Sequence, residues 1–341
     1  MIPTAATPGT SSPEPALTLA ALGWSDRWEA LFAPHRRAGQ EPGRVMRHDG
    51  SAVLTAIDGE TRQLQLRRSI PPLAVGDWVV ACDGFADHLL ERASLLQRLD
   101  PSTGLNQPIA ANVDIVMIVC GLDRPLKPGR VQRLLAQVAD AGARPLLVLT
   151  KADMAADAAA DAMTARGFDP DLPVVAVAAL VGDGVEDVAA HAVGRTVVVV
   201  GESGAGKSTL VNALCGRHVA DTGAVRAGDS RGRHTTTARQ MQLLAGGGCL
   251  IDTPGVRAVG VWAETGAVDQ TFADIAGLAA DCRFSDCQHD KEPGCAVGAA
   301  VGRRELAVQR LDSWRGLRRE ASSTELRAQE HARRSDRRKR R

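Results

Sequence analysis

Residues 201–208 read GESGAGKS, and this octet fixes more of the architecture than any other stretch of the 341-residue chain. It matches GxxxxGK[ST], directly follows the apolar run TVVVV and opens the run KSTLVNAL, so it joins a strand to a helix as a phosphate-cradling loop must. Its glycines let backbone N–H groups turn inward, the helix start adds positive potential, and Lys207 brings a compact charge to the β- and γ-phosphates. Gly201, Glu202, Ser203, Gly204, Ala205, Gly206, Lys207, Ser208 and Thr209 are therefore the expected phosphate-binding residues, with Ser208 also a magnesium ligand.

The surrounding pattern agrees with such a loop. Apolar runs VDIVMIVC, PLLVLT, PVVAVAA, TVVVV and CLID alternate with helical stretches such as RVQRLLAQVADAG and VEDVAAHAV, which predicts a largely parallel sheet covered on both faces. From Val45 to Leu99, short segments AVLTAI, RQLQLR and DWVVAC are separated by Gly, Asp and Pro, the pattern of a small all-β domain. Residues 1–40, rich in Pro, Ala and Ser with one short helix around Trp24 to Phe32, read as a disordered leader. The expected division is a leader at 1–40, a β domain at 41–104, a nucleotide-binding α/β domain at 105–266, a helical metal domain at 267–322 and a basic tail at 323–341.

A phosphate loop does not choose the base, but TKAD does. In Thr150, Lys151, Ala152 and Asp153, at the end of PLLVLT, the Asp carboxylate accepts from the guanine N1–H and N2 amine while the Lys stem covers the purine face. Adenine offers no such donor pair, which argues against an ATP-dependent kinase or transport ATPase. The chain holds only five lysines among 41 basic residues, and two stand in these two motifs. Asp252, in DTPG after CLI, would hold magnesium through water, and the Gly255 N–H would meet the γ-phosphate. Between the phosphate loop and DTPG lies RGRHTTT, where Thr236 is the chosen magnesium ligand among three adjacent threonines. The expected cofactors are thus GTP as substrate, Mg²⁺ and a zinc ion. Cys282, Cys287, His289 and Cys295 supply three thiolates and an imidazole within fourteen residues, the donor set of a closed structural zinc site.

The base-reading motif precedes the phosphate loop by about fifty residues, whereas ordinary small GTPases have it after DTPG, so the order is circularly permuted. This order, with TKAD, GESGAGKST, RGRHTTT, DTPG and CRFSDCQHDKEPGCAV, resembles the RsgA (YjeQ) family of small-subunit biogenesis GTPases over about residues 40–320. The resemblance implies an N-terminal OB-fold β-barrel, a central circularly permuted P-loop GTPase domain and a C-terminal helical zinc domain, in an enzyme acting late in small ribosomal subunit maturation. The expected partners are that subunit and its rRNA, with the chain acting as a monomer. Two departures bear on the base site. Thr150 replaces the usual Asn, and Ala178 stands where many GTPases have a Ser; both are expected to loosen base binding without changing its identity.

Val256 follows DTPG where Ras-like enzymes place a water-orienting Gln, and its side chain cannot hydrogen-bond a nucleophile. The resemblance points instead to His234, which together with Lys207 makes up the expected catalytic set; a solvent-exposed loop histidine is the other reading of that residue. Turnover is then slow until the small subunit orders the loop. A nucleotide-gated RNA-binding adaptor with negligible hydrolysis is the alternative.

Composition sets the outer limits. The hydrophobic share of 44% and charged share of 24% suit a soluble protein, no apolar run nears the roughly 18 residues of a membrane helix, and the start lacks a secretory pattern, so a cytoplasmic location with no membrane partner is expected. The net charge of +1 conceals a tail, residues 315–341, with eleven Arg or Lys against four Asp or Glu. Such a tail suits a polyanion, or is merely solvated. Aromatic side chains in the β domain are few, chiefly Trp78 and Phe85, so rRNA contact through phosphate and shape is expected there rather than base stacking; a packing domain that never touches RNA is the other reading.

Overall fold

The computed structural model describes residues 16–99, 106–169, 171–220, 239–252 and 265–339, with side chains in the last helix as far as Leu326. His234, Thr236, Gly255 and Val256 lie outside the described residues.

Five strands close the N-terminal barrel: β1 (Gln40–His48), β2 (Ala52–Ile57), β3 (Glu60–Leu66), β4 (Trp78–Cys82) and β5 (Phe85–Leu89). They are hydrogen-bonded in the order β1-β2-β3-β5-β4 and back to β1, with β3 and β5 parallel and the other pairs antiparallel. Inward-facing Val45, Val53, Leu64, Val79 and Ala86 fill the interior. Trp78 is fully buried on the outer side, so it cannot stack on a nucleobase.

The expectation of a disordered leader is corrected for residues 16–40. Helix α1 (Asp26–Phe32) places Trp28 and Phe32 four residues apart on one face, and both are buried. Trp28 lies 6.0 Å from Trp78 and Trp24 lies 4.8 Å from it, ring centroid to centroid. The helix is too short to stand alone, and this aromatic cluster holds it on the barrel.

Strands β6 (Leu95–Leu99) and β7 (Asn106–Ala111) form a separate antiparallel ribbon that leads into the second domain. There β8 (Ile115–Gly121), α2 (Pro128–Asp140), β9 (Arg144–Thr150), α3 (Ala158–Arg166), β10 (Val174–Val177), α4 (Val185–Ala192), β11 (Thr196–Gly201), α5 (Lys207–Cys215), β12 (Gln240–Leu243) and β13 (Cys249–Asp252) follow in turn. The sheet runs β10-β9-β8-β11-β13-β12, parallel except for β12. Successive strands move outward in one direction from β8 and in the other from β11, so the switch point lies between these two neighbours, where α/β sheets bind ligands at the carboxyl ends of their strands.

At its far edge β12 pairs with barrel strand β1, Arg47 opposite Gln240, so barrel and central sheet are continuous. Beside this seam Arg44 is only 2% exposed. Its guanidinium donates to the carbonyls of Leu22, Gly76 (3.4 Å) and Asn112 (3.3 Å) and to Thr196 Oγ1 (2.7 Å), and lies 5.1 Å from the Trp78 ring. One buried cation thus ties the N-terminal segment, the barrel, the connector and the start of β11.

Helices α6 (Thr265–Thr271), α7 (Ala273–Ala280), α8 (Ala296–Gly302) and α9 (Val308–Lys339) complete the chain. The expected tail at 323–341 begins inside α9, whose helix runs on to Lys339. Arg310 of α9 holds Asp274 through two 2.7 Å bonds and donates to the Phe168 carbonyl, which joins the last domain to the central one. Among the described residues no helix is long and apolar enough to cross a membrane.

Candidate nucleotide site and metal centre

Strand register brings the sequence motifs to one end of the sheet. Gly201 sits opposite Val119, Gly121 opposite Thr150, and Thr150 opposite Val177, so the loops after β8, β9, β10 and β11 all open on the same rim. Asp252 ends β13, the neighbour of β11 on the other side.

The loop from Gly201 to Gly206 needs glycine at specific points. Gly201 has φ +150°, and a Cβ there would stand 2.3 Å from the Val119 carbonyl oxygen; Gly206 has φ +86°, with a Cβ position 3.0 Å from Thr150 Oγ1. Lys207 opens α5, and its ammonium donates to the carbonyls of Gly201 (2.9 Å) and Glu202. Glu202 is paired with Arg130 of α2.

Thr150 is buried, and its hydroxyl donates to the Ala205 carbonyl, which fastens the base-reading loop to the phosphate loop. A side chain shorter than that of Asn thus bridges the two loops. Lys151, in the left-handed region at φ +59°, extends its ammonium to Asp123 Oδ2 at 2.8 Å. Asp123 is held by Arg124 and by Lys151, and these hydrogen bonds bring its carboxyl down to about 2, so it is ionised at neutral pH. Asp153 is exposed at the rim. Ala178 is buried, its N–H donating to the Asp183 carbonyl (2.9 Å), with Leu180 and Val181 exposed beyond it. Asp123 and Arg124 were not singled out in the sequence; GLDRP after an apolar run carried only the signal of a charged loop at a strand end.

The ends of the segment holding His234 and Thr236 are fixed. Asn212 of α5 accepts from the N–H groups of Val219 and Ala220 (2.8 Å each) before residue 221. Arg239 donates to the Pro108 carbonyl (3.2 Å), and Gln240 enters β12 beside barrel strand β1.

The metal cluster forms as its spacing suggests. Ligand atoms of Cys282, Cys287, His289 and Cys295 all lie within 4.8 Å of one another. Cys282 Sγ is 3.4 Å and Cys295 Sγ 3.6 Å from His289 Nδ1, and the two sulfurs are 4.0 Å apart. A zinc tetrahedron with about 2.3 Å zinc–sulfur bonds has edges of roughly 3.8 Å, so the donor set fits that ion. His289 is buried with φ +60°, and burial holds its pKa below the usual range, keeping the imidazole neutral as a ligand must be. Burial opposes ionisation of Cys282, but hydrogen bonds from the Val297 and Ala296 N–H groups and from Cys295 and Cys287 together outweigh it and lower that thiol. The Gly298 N–H donates to Cys295 Sγ at 3.2 Å, and Trp314 of α9 packs 5.3 Å from the His289 ring.

The RsgA GTPase family model matches residues 89–262. The small ribosomal subunit biogenesis GTPase RsgA of Streptomyces coelicolor is 41% identical over 324 residues, covering 91% of this chain and 88% of that protein. The protein of the same name from Syntrophotalea carbinolica is 39% identical over 344 residues, 94% of each. The crystal structure of YjeQ from Thermotoga maritima superposes with a TM-score of 0.63 over 83% of this chain and 98% of that one; at 24% identity it speaks for the fold alone. YloQ, described as a circularly permuted GTPase, superposes with a TM-score of 0.59 at 25% identity, over 85% and 97% of the two chains. With its permuted sheet, its barrel and its Cys₃His cluster, this chain belongs to the RsgA GTPase family of GTP-hydrolysing enzymes.

Proposed function

We propose that the chain hydrolyses GTP as an assembly factor in late maturation of the small ribosomal subunit, binding that subunit through rRNA. The observation that carries the nucleotide half of this reading is the Thr150 to Ala205 bond, which holds TKAD and GESGAGKS as one site at the switch point of the sheet. The ribosomal half rests on relatives named small ribosomal subunit biogenesis GTPase.

In this reading Asp153 accepts from guanine, the Lys151 stem covers its face, and the amides of residues 201–209 receive the phosphates. Lys207 exchanges its Gly201 and Glu202 carbonyl partners for phosphate oxygens. Ser208, Asp252 and Thr236 would hold Mg²⁺, which supplies charge neutralisation at the phosphates when bound. The Gly255 N–H meets the γ-phosphate, and His234 orients the attacking water in place of the Gln that Val256 cannot replace. Cys282, Cys287, His289 and Cys295 would hold one zinc ion that fixes the fold of the last domain, since a closed site leaves no position for chemistry. The protein acts in the cytoplasm as a monomer.

Single-turnover hydrolysis with and without purified small subunits, alongside co-sedimentation, tests the whole. Stimulation of roughly 10² to 10⁵ is expected by analogy with GTPases completed by a partner. His234→Ala should abolish most of the stimulated rate while GTP affinity stays near normal. Equal rates with and without subunits would refute the ribosomal reading, and a full stimulated rate in the His234 variant would remove that residue from the mechanism.

A further inference from the structure

The phosphate loop has a neighbour outside every motif. The turn after β8 carries Asp123, Arg124 and Pro125, and Arg124, Lys127 and Arg130 line a recess whose opposite wall is Gly201, Glu202 and Ala205. Of these three cations, Arg130 is committed to Glu202. Arg124 Nη2 lies 3.7 Å from the point where a Cβ would stand on Gly204, inside the phosphate loop. Its guanidinium is oriented by Asp123, which receives Nε at 3.3 Å and Nη2 at 3.1 Å, and Asp123 is itself fixed by Lys151 at 2.8 Å. Pro125 stiffens the backbone directly after it.

A planar cation held beside loop amides that cradle phosphates is suited to an anionic oxygen, which a guanidinium meets with two parallel N–H groups. We propose that Arg124 is a diphosphate-binding residue that engages the β-phosphate of the bound guanine nucleotide and slows its release; this rests on the guanine-nucleotide reading given above. Asp123 then has two tasks, steering Arg124 to the phosphate and Lys151 to the base, which links grip on the two ends of the ligand through a single carboxylate. Arg124 is half-exposed and lies in a loop, so its removal leaves the core intact.

The test uses the full chain with Mg²⁺ and compares GDP with GMP, which shares the base and lacks the β-phosphate. Fluorescent GDP dissociation is followed by stopped flow, and GMP affinity by competition, for the wild type, Arg124→Ala and Arg124→Lys. Arg124→Ala should weaken GDP binding on the order of tenfold, mostly through faster release, with GMP affinity unchanged. Arg124→Lys should recover part of the loss, because it keeps the charge without the fork. Equal losses for GMP and GDP would place Arg124 at the base loop instead and overturn the proposal, as would unchanged GDP release. A wild type that binds neither nucleotide would refute the guanine-nucleotide reading itself, a result distinct from either.

Discussion

Replacing Arg44 by Met removes the charge and the donors while keeping an unbranched side chain against Trp78. Two of its four acceptors then lose their donor outright, because among the described residues the Leu22 and Asn112 carbonyls receive no other hydrogen bond. The Gly76 carbonyl keeps Asn112 Nδ2 at 3.0 Å, and the Thr196 hydroxyl can rotate. An orphaned buried carbonyl costs about 1–3 kcal/mol, so two cost about 2–6 kcal/mol. Relief of guanidinium desolvation offsets part of this: burial pushes the Arg44 pKa down, with Asp114 and Asp77 only partly opposing it. A net destabilisation of about 2–4 kcal/mol follows, localised where barrel, connector and β11 meet. For a unit of this size that is a fall of roughly 5–15 °C in the affected transition. Calorimetry should show the barrel melting ahead of the central sheet, and limited proteolysis should cut first between residues 16 and 24, the segment Arg44 holds through Leu22. A variant that melts within about 1 °C of the wild type, with an unchanged cleavage pattern, would refute the assignment of Arg44 as the joint.

Two other perturbations probe the sites. Asp153→Asn should lower GTP affinity on the order of 10² to 10⁴, from two charge-assisted bonds of about 1.5–3 kcal/mol each, and shift preference to xanthosine triphosphate, read by titration of both nucleotides. Unchanged GTP affinity would overturn the base-site assignment. Purified protein should carry one zinc by metal analysis, and Cys287→Ser should destabilise the C-terminal helices while GTP binding stays largely intact; protein prepared without chelators that holds no zinc would refute the metal site.

What could be read from the sequence was what the chain writes locally. GESGAGKS, TKAD and the Cys₃His spacing each lie within a few turns of backbone, so their chemistry is set by neighbours in sequence, and the structure gathers the first two on one rim and closes the third into a cluster. What could not be read depends on partners far away. Trp28 and Phe32 look like stray aromatics of a leader until Trp78, some fifty residues on, gives them a surface. Arg44 is one of many arginines in its composition, and only the convergence of Leu22, Gly76, Asn112 and Thr196 makes it a buried joint. The bridging role of Thr150 is likewise hidden in the sequence, because its acceptor, the Ala205 carbonyl, lies 55 positions later. The expected tail at 323–341 begins inside α9, which runs as helix to Lys339, because a charge run marks polarity but not where a helix ends.

The continuity of the sheet has a mechanical consequence. Residues 221–238, which carry His234 and Thr236, leave from a point held by Asn212 on α5 and return at Gln240, which is paired with Arg47 of the barrel. One end of that segment therefore belongs to the phosphate-binding helix and the other to the barrel's first strand. Because β1 also closes the barrel against β2 and β4 and carries Arg44, a load applied to the barrel is borne by β12 and, through Arg44, by β11, the strand that ends in the phosphate loop. On the opposite side, α2 holds Glu202 through Arg130 and Glu320 of α9 through Arg133 (2.8 Å), three residues apart on one face. These exposed pairs are worth little in stability, about 0–1 kcal/mol each, so what they contribute is alignment rather than strength. Among the described residues the rim is thus bracketed by the barrel through backbone hydrogen bonds and a buried cation, and α9 reaches it through side-chain pairs to α2. Of the two flanking domains, the barrel is the one paired by backbone to the strand that follows residues 221–238.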